Sequence, residues 1–131
     1  MSTTTPASAQ PKWMTIAGWI ASVLPAAMLF FSASMKFAKP PAAMEGMAKF
    51  GYPESLLNTL GVVEVACTIV YLFPRTAVLG AVLLTGYLGG ATATHVRVGD
   101  AWFMPVVLGV LVWLGLFLRD ARVRALLPLR R

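Results

Sequence analysis

Residues 56–73 read LLNTLGVVEVACTIVYLF, eighteen mostly apolar positions with a single acid, Glu64, near the middle. Crossing a hydrocarbon core about 30 Å thick takes roughly 20 apolar residues of helix. A charged side chain near the centre of such a run costs about 2.5–3.5 kcal/mol on insertion scales unless it finds a partner. The stretch therefore predicts a membrane helix with one face turned inward, and the rest of the chain must supply what Glu64 meets there. Gly61, Glu64, Thr68 and Tyr71 recur at helical spacing along that face, with Cys67 beside it.

Three further apolar runs lie on either side, at 13–36, 76–95 and 101–118. The first is opened by Lys12, with Trp13 and Trp19 at the level where amphipathic rings settle. Its apolar core is longer than that of a cleaved secretory signal, so it reads as a retained helix although Ser32-Ala33-Ser34 resembles a cleavage site. Pro40-Pro41 ends it. Met44, Met47 and Phe50 recur every three residues opposite Glu45 and Lys49, which suits either a short surface helix or an ordered loop. Pro74-Arg75 leaves only a tight turn between the second and third runs, so these two helices must be antiparallel neighbours. Asp100 is a candidate N-cap for the fourth.

Composition agrees with that reading, at 58% hydrophobic and 12% charged with a mean hydropathy of +0.74, where a soluble domain carries roughly 25% charged residues. The expected architecture is all-α: an integral membrane four-helix bundle over 13–118, a disordered tail over 1–12 and a basic cytoplasmic tail over 119–131. With four spans, Lys12, Arg75 and the five C-terminal arginines share a side, against Lys36, Lys39, Lys49 and Arg97 on the other. The positive-inside rule then puts both termini in the cytoplasm of a multi-pass cell-membrane protein, taken as one of a bacterial inner membrane.

The net charge of +6 sits at the ends of apolar runs, where it sets orientation, and forms no aromatic-interleaved basic stripe, so nucleic acid is not an expected partner. The expected partner is the lipid bilayer. One cysteine excludes dithiol chemistry within the chain, and one histidine excludes bis-histidine haem. Scattered His, Cys and acidic positions lack metal-ligand spacing, and Met28, Met35, Met44 and Met47 read as packing. No nucleophilic triad, Walker loop or dinucleotide fingerprint is present.

The candidate site gathers around Glu64, about 12 Å below the outer boundary at 1.5 Å per residue. Ser32, Lys36, Thr92 and His95 fall in the same outer half, while the inner half is nearly pure Leu, Val, Ala and Gly apart from Thr85 and Tyr71. Lys36 is the better partner for Glu64, since its stem bends inward from the last turn of the first span and Ser32 lies one turn deeper. His95 is the second. A buried Glu–Lys pair serves equally as a structural device that fixes which helices meet or as a group held for a ligand or proton. Gly86 and Gly90 form a GxxxG suited to close helix packing, inside the bundle or at a homo-oligomer seam.

Met35-Lys36-Phe37, Phe50-Gly51-Tyr52-Pro53, Gly61-Val62-Val63-Glu64, Tyr71-Leu72-Phe73-Pro74-Arg75-Thr76 and Gly86-Tyr87-Leu88-Gly89-Gly90-Ala91 up to His95 together resemble the DoxX-like membrane proteins. The resemblance covers 13–118 and implies a four-helix bundle in which Lys36 and Glu64 take the family's recurrent polar positions. It further implies an association with thiosulfate and quinone oxidoreduction, with membrane redox complexes or with receptor assembly. Two readings follow from it. In one, the chain binds an amphipathic ligand, a quinone or a lipid, as an accessory subunit with redox-complex partner proteins. In the other it is a non-enzymatic scaffold.

Overall fold

A computed structural model describes residues 10–130. The expected disordered tail lies outside the described residues up to position 9, as does Arg131. Six α-helices follow in order: α1 (Lys12–Ala38), α2 (Pro41–Phe50), α3 (Glu54–Leu72), α4 (Ala77–Arg97), α5 (Phe103–Arg119) and α6 (Ala121–Leu126), with a 3-10 turn at Pro74–Thr76. No strand occurs among the described residues. Among the described residues three segments are long and apolar enough to cross a membrane: Lys12–Ala38, Glu54–Leu72 and Pro74–Arg97. The 17 residues of α5 are equally apolar but shorter, spanning about 26 Å at 1.5 Å per residue.

The breaks follow local chemistry. At the end of α1, Lys39 takes the left-handed conformation (φ 54°) and donates its backbone N–H to Met35 O, and Pro40-Pro41 then starts α2. Between α2 and α3 the chain turns at Gly51 (φ 83°), a conformation that suits a residue without a Cβ. Asp100 does not cap α5, which begins three residues later at Phe103. Its carboxylate instead accepts the Ala101 N–H at 2.8 Å and faces Lys49 at 3.8 Å, which joins the α4–α5 connection to α2.

The four longest helices pack in a cycle, α1 on α3, α3 on α4, α4 on α5 and α5 back on α1. The inward faces of α1 and α3 are rich in small and polar residues: Gly18, Ala21, Ser22, Ala26 and Ala33 on α1, and Gly61, Glu64 and Thr68 on α3. Large apolar side chains point out, with Ile16, Ile20, Val23 and Phe31 each more than half exposed. That inversion fits a lipid solvent, where burying Leu or Ile brings no hydrophobic gain and close backbone approach decides packing. Leu29, Tyr71, Ala81, Leu84, Val112 and Leu116 fill the middle.

Candidate functional site

Glu64 is 2% exposed and lies one helical turn from Gly61 on the inward face of α3. The Phe37 ring crosses Gly61 where any Cβ would collide with it, which brings the last turns of α1 over the acid. Lys36 Nζ then donates to Glu64 Oε1 at 3.1 Å and to Ser32 Oγ at 2.8 Å. Glu64 is almost fully buried, its side chain 3% exposed, and Lys36 is largely buried at 13%. The cation, the carboxylate and a neutral acceptor thus close one unit between α1 and α3.

The other candidate residues divide. Thr68 is fully buried but its hydroxyl donates to the Glu64 carbonyl at 2.7 Å, so it serves its own helix. Thr92 likewise bonds Leu88 O at 2.8 Å and lines a groove between α4 and α5 away from the acid. His95 makes no ion pair with Glu64; its Nδ1 sits 2.7 Å from Ala91 O and its ring packs on Phe50 at 4.7 Å between centroids. It nevertheless lines the same cavity as Glu64. That cavity, about 540 Å³, has Ser32, Glu64, Tyr87 and His95 on its polar side and Leu24, Met28, Phe31, Met104 and Leu108 on its apolar side.

Tyr87 is the member that sequence reading left out. It lines the same cavity as Glu64. The signal was available, since Tyr87, Ala91 and His95 are spaced four apart and share one face of α4. Above this wall the end of α2 and the connection after it are tied to α4: Tyr52 Oη and Thr94 Oγ1 are 2.7 Å apart, and Arg97 Nη2 donates to the Phe50 carbonyl. A second cavity of about 300 Å³, lined by Lys36, Tyr52, Tyr87 and His95, lies beneath α2.

The opposite half of the bundle carries a second polar network, contrary to the expectation of nearly pure apolar packing. Tyr71, 0% exposed, donates its hydroxyl to Val112 O at 2.7 Å and lies 2.9 Å from Ser22 Oγ. Arg119 Nε donates to Ser22 Oγ at 3.1 Å, and the guanidinium stacks 4.1 Å from the centroid of the Trp19 ring. Arg119 Nη2 is buried with no hydrogen-bond partner among the described residues, and the Trp19 and Tyr71 rings present the π faces that hold the cation there. Tyr71→Phe removes the bonds to Val112 O and Ser22 Oγ, while Val112 O keeps its bond within α5, and is expected to cost about 0.5–1.5 kcal/mol. Unfolding midpoints in detergent micelles measure it, and an unchanged midpoint would remove Tyr71 as the pin of α1, α3 and α5.

The sequence profile of the DoxX-like family matches residues 20–115, well over half of the chain. The matched interval contains every residue of the Glu64 cavity and excludes Arg119 and the rest of the arginine-rich segment. No curated protein and no solved structure matches the chain. With its apolar, outward-facing helices and its matched interval running from the first helix into the last long one, the chain belongs to the DoxX-like family of membrane proteins.

Proposed function

We propose that this protein binds the polar head of an amphipathic, quinone-type molecule in the cavity walled by Ser32, Glu64, Tyr87 and His95, as an accessory subunit of a membrane redox system. One observation carries the reading: hydroxyl, carboxylate, phenol and imidazole groups line one side of a cavity of about 540 Å³ whose other side is Leu, Met and Phe. Ligand pockets of this size range combine an apolar lining with a few convergent polar groups. The family association with quinone chemistry points the same way. In this reading α5 is the fourth span, so that 13–118 forms a four-helix bundle, and a partner protein supplies the electron-transfer cofactor.

Charge supports an orientation. Lys12, Arg75, Arg119, Arg122, Arg124, Arg130 and Arg131 belong to one end with Asp120 as their single acid. Lys36, Lys39, Lys49 and Arg97 at the other end are matched one for one by Glu45, Glu54, Glu64 and Asp100. The entire net charge of +6 thus falls at one end, and the positive-inside rule assigns that end, with both termini, to the cytoplasm of a bacterial inner membrane. Gly86 and Gly90 line the cavity beneath α2, and a Cβ on either meets nothing within 4 Å among the described residues, so neither is used for close helix packing within the chain and both stay open to a homo-oligomer contact.

A quinone photoaffinity probe on the purified protein tests the site. Labelling is expected on the α1 and α4 segments that carry Ser32 and His95, competed by unlabelled quinone and reduced at least several-fold by Glu64→Gln or Tyr87→Phe. Equal labelling of wild type and both variants would reject the site. It would leave the scaffold reading, in which the Lys36–Glu64 pair serves only to fix helix contacts.

A further inference from the structure

A second candidate ligand site runs along the α4–α5 groove, which shares Leu88 and Pro105 with the Glu64 cavity, to the arginine-rich end of the molecule. Two cavities meet there at Trp113 and Leu127. One, about 610 Å³, is the groove between α4 and α5, walled by Leu88, Val106, Val110 and Phe117. Gly89 and Gly109 hold it open: a Cβ at Gly89 meets nothing within 4 Å, and one at Gly109 only touches Leu88 at 3.8 Å. Trp113 spends its single donor on Thr85 Oγ1 at 2.7 Å, so its ring presents only apolar surface.

The other cavity, about 630 Å³, continues past the end of the groove and has Arg75 and Arg122 at its rim above Val78, Val123 and Leu126. Its roof is α6, and α6 is pinned. Asp120 Oδ1 accepts the Arg122 N–H at 2.9 Å, Val123 is 4% exposed, and Arg124 Nη1 donates to Phe117 O at 2.7 Å and Leu118 O at 3.0 Å. Those arginine bonds satisfy carbonyls left open at the end of α5. The charges at the rim do not cancel. Arg122, its side chain 88% exposed, shares Asp120 at 3.2 Å, while Arg75 makes no ion pair or hydrogen bond among the described residues.

We infer that this combined cavity is a binding site for one anionic phospholipid, the head-group phosphate held between Arg75 and Arg122 and an acyl chain lying in the α4–α5 groove beneath α6. The inference rests on the membrane character of the chain and not on the Glu64 cavity. Both arginines stand at the ends of apolar helices, Arg75 in the turn after α3 and Arg122 just past α5, the level at which phospholipid head groups sit. Basic pockets between membrane helices at the cytoplasmic side recognise anionic head groups through this arrangement. A free anion would satisfy Arg75 but leave the groove unused, and a zwitterionic lipid would fill the groove but bring its own cation toward the arginines.

Delipidated protein reconstituted with equimolar phosphatidylglycerol and phosphatidylcholine, then released into mild detergent for native mass spectrometry, gives the test. Phosphatidylglycerol is expected to be retained over phosphatidylcholine by about fivefold or more, at roughly 1 kcal/mol per basic residue. Arg75→Gln is expected to reduce that preference about fivefold. Gly89→Leu, which fills the groove, should lower retention of both lipids while leaving the melting temperature of the delipidated protein unchanged or raised. Equal retention of the two lipids by wild type overturns the inference. So does unchanged retention in both variants, or displacement of the bound lipid by inorganic phosphate alone, which would mark an ion site that makes no use of the groove.

Discussion

Lys36→Met is expected to cost the fold about 3–5 kcal/mol, the usual consequence of removing one partner of a buried ion pair. The reason is local. Glu64 is 2% exposed, and its Oε1 depends on a cation 3.1 Å away that is itself fixed by Ser32 at 2.8 Å. With a thioether in place of the ammonium the acid must either stay ionised without a counter-charge or take up a proton. Either route removes free energy from the folded state. The double variant Lys36→Met with Glu64→Leu should recover most of the loss, because two well-packed apolar groups replace a desolvated pair at little net cost. Unfolding of wild type, both single variants and the double variant closes a mutant cycle whose coupling term is expected to exceed about 2 kcal/mol. Single variants whose losses simply add would mean that the pair does not hold α1 to α3. The double variant has a second use: if it is stable yet no longer takes the quinone probe, the pair serves the ligand as well as the fold.

This ion pair was legible in the sequence for a physical reason. An acid in a bilayer-length apolar run must be met by something, and the rise of a helix limits which residues share its level. Lys36 and Ser32 follow from cost and spacing, whereas Thr92, placed by its level, and Thr68, placed by its position on the Glu64 face, spend their hydroxyls on their own helices. The network of Ser22, Tyr71 and Arg119 was harder to see. Its bonds join residues 49, 41 and 97 apart in the chain, and no local period encodes which helix a tyrosine will reach across to. Asp100 misled because an acid before an apolar run is an N-cap in most contexts, while here Ala101 and Lys49 claim the carboxylate and the helix starts later.

Glycine gives the sharpest contrast, and Gly115→Ala is expected to destabilise the protein by about 1–3 kcal/mol, the range for overpacking a closed contact. A Cβ at Gly115 would overlap Ser22 Oγ and sit 3.0 Å from both Gly18 O and Ser22 N. Two of those three neighbours are backbone, so α1 and α5 must move apart. On the facing helix a Cβ at Gly18 would stand 2.9 Å from Gly115 O and Arg119 N. The seam between α1 and α5 is thus built from Gly18 and Ser22 one turn apart against a lone Gly115, whereas a Cβ on the more conspicuous Gly86 or Gly90 enters the open cavity beneath α2 and meets no described residue within 4 Å. Gly86→Ala should accordingly leave the monomer unchanged or gain up to about 1 kcal/mol from helix propensity. Because the Gly115 overlap displaces the hydroxyl that accepts from Arg119 Nε, the guanidinium should also leave its place over Trp19, and tryptophan fluorescence should report it. A Gly115→Ala protein as stable as wild type would refute the seam. A Gly86→Ala protein that keeps its monomer stability but dissociates in detergent would instead locate a contact between copies of the chain at the open cavity that Gly86 lines beneath α2.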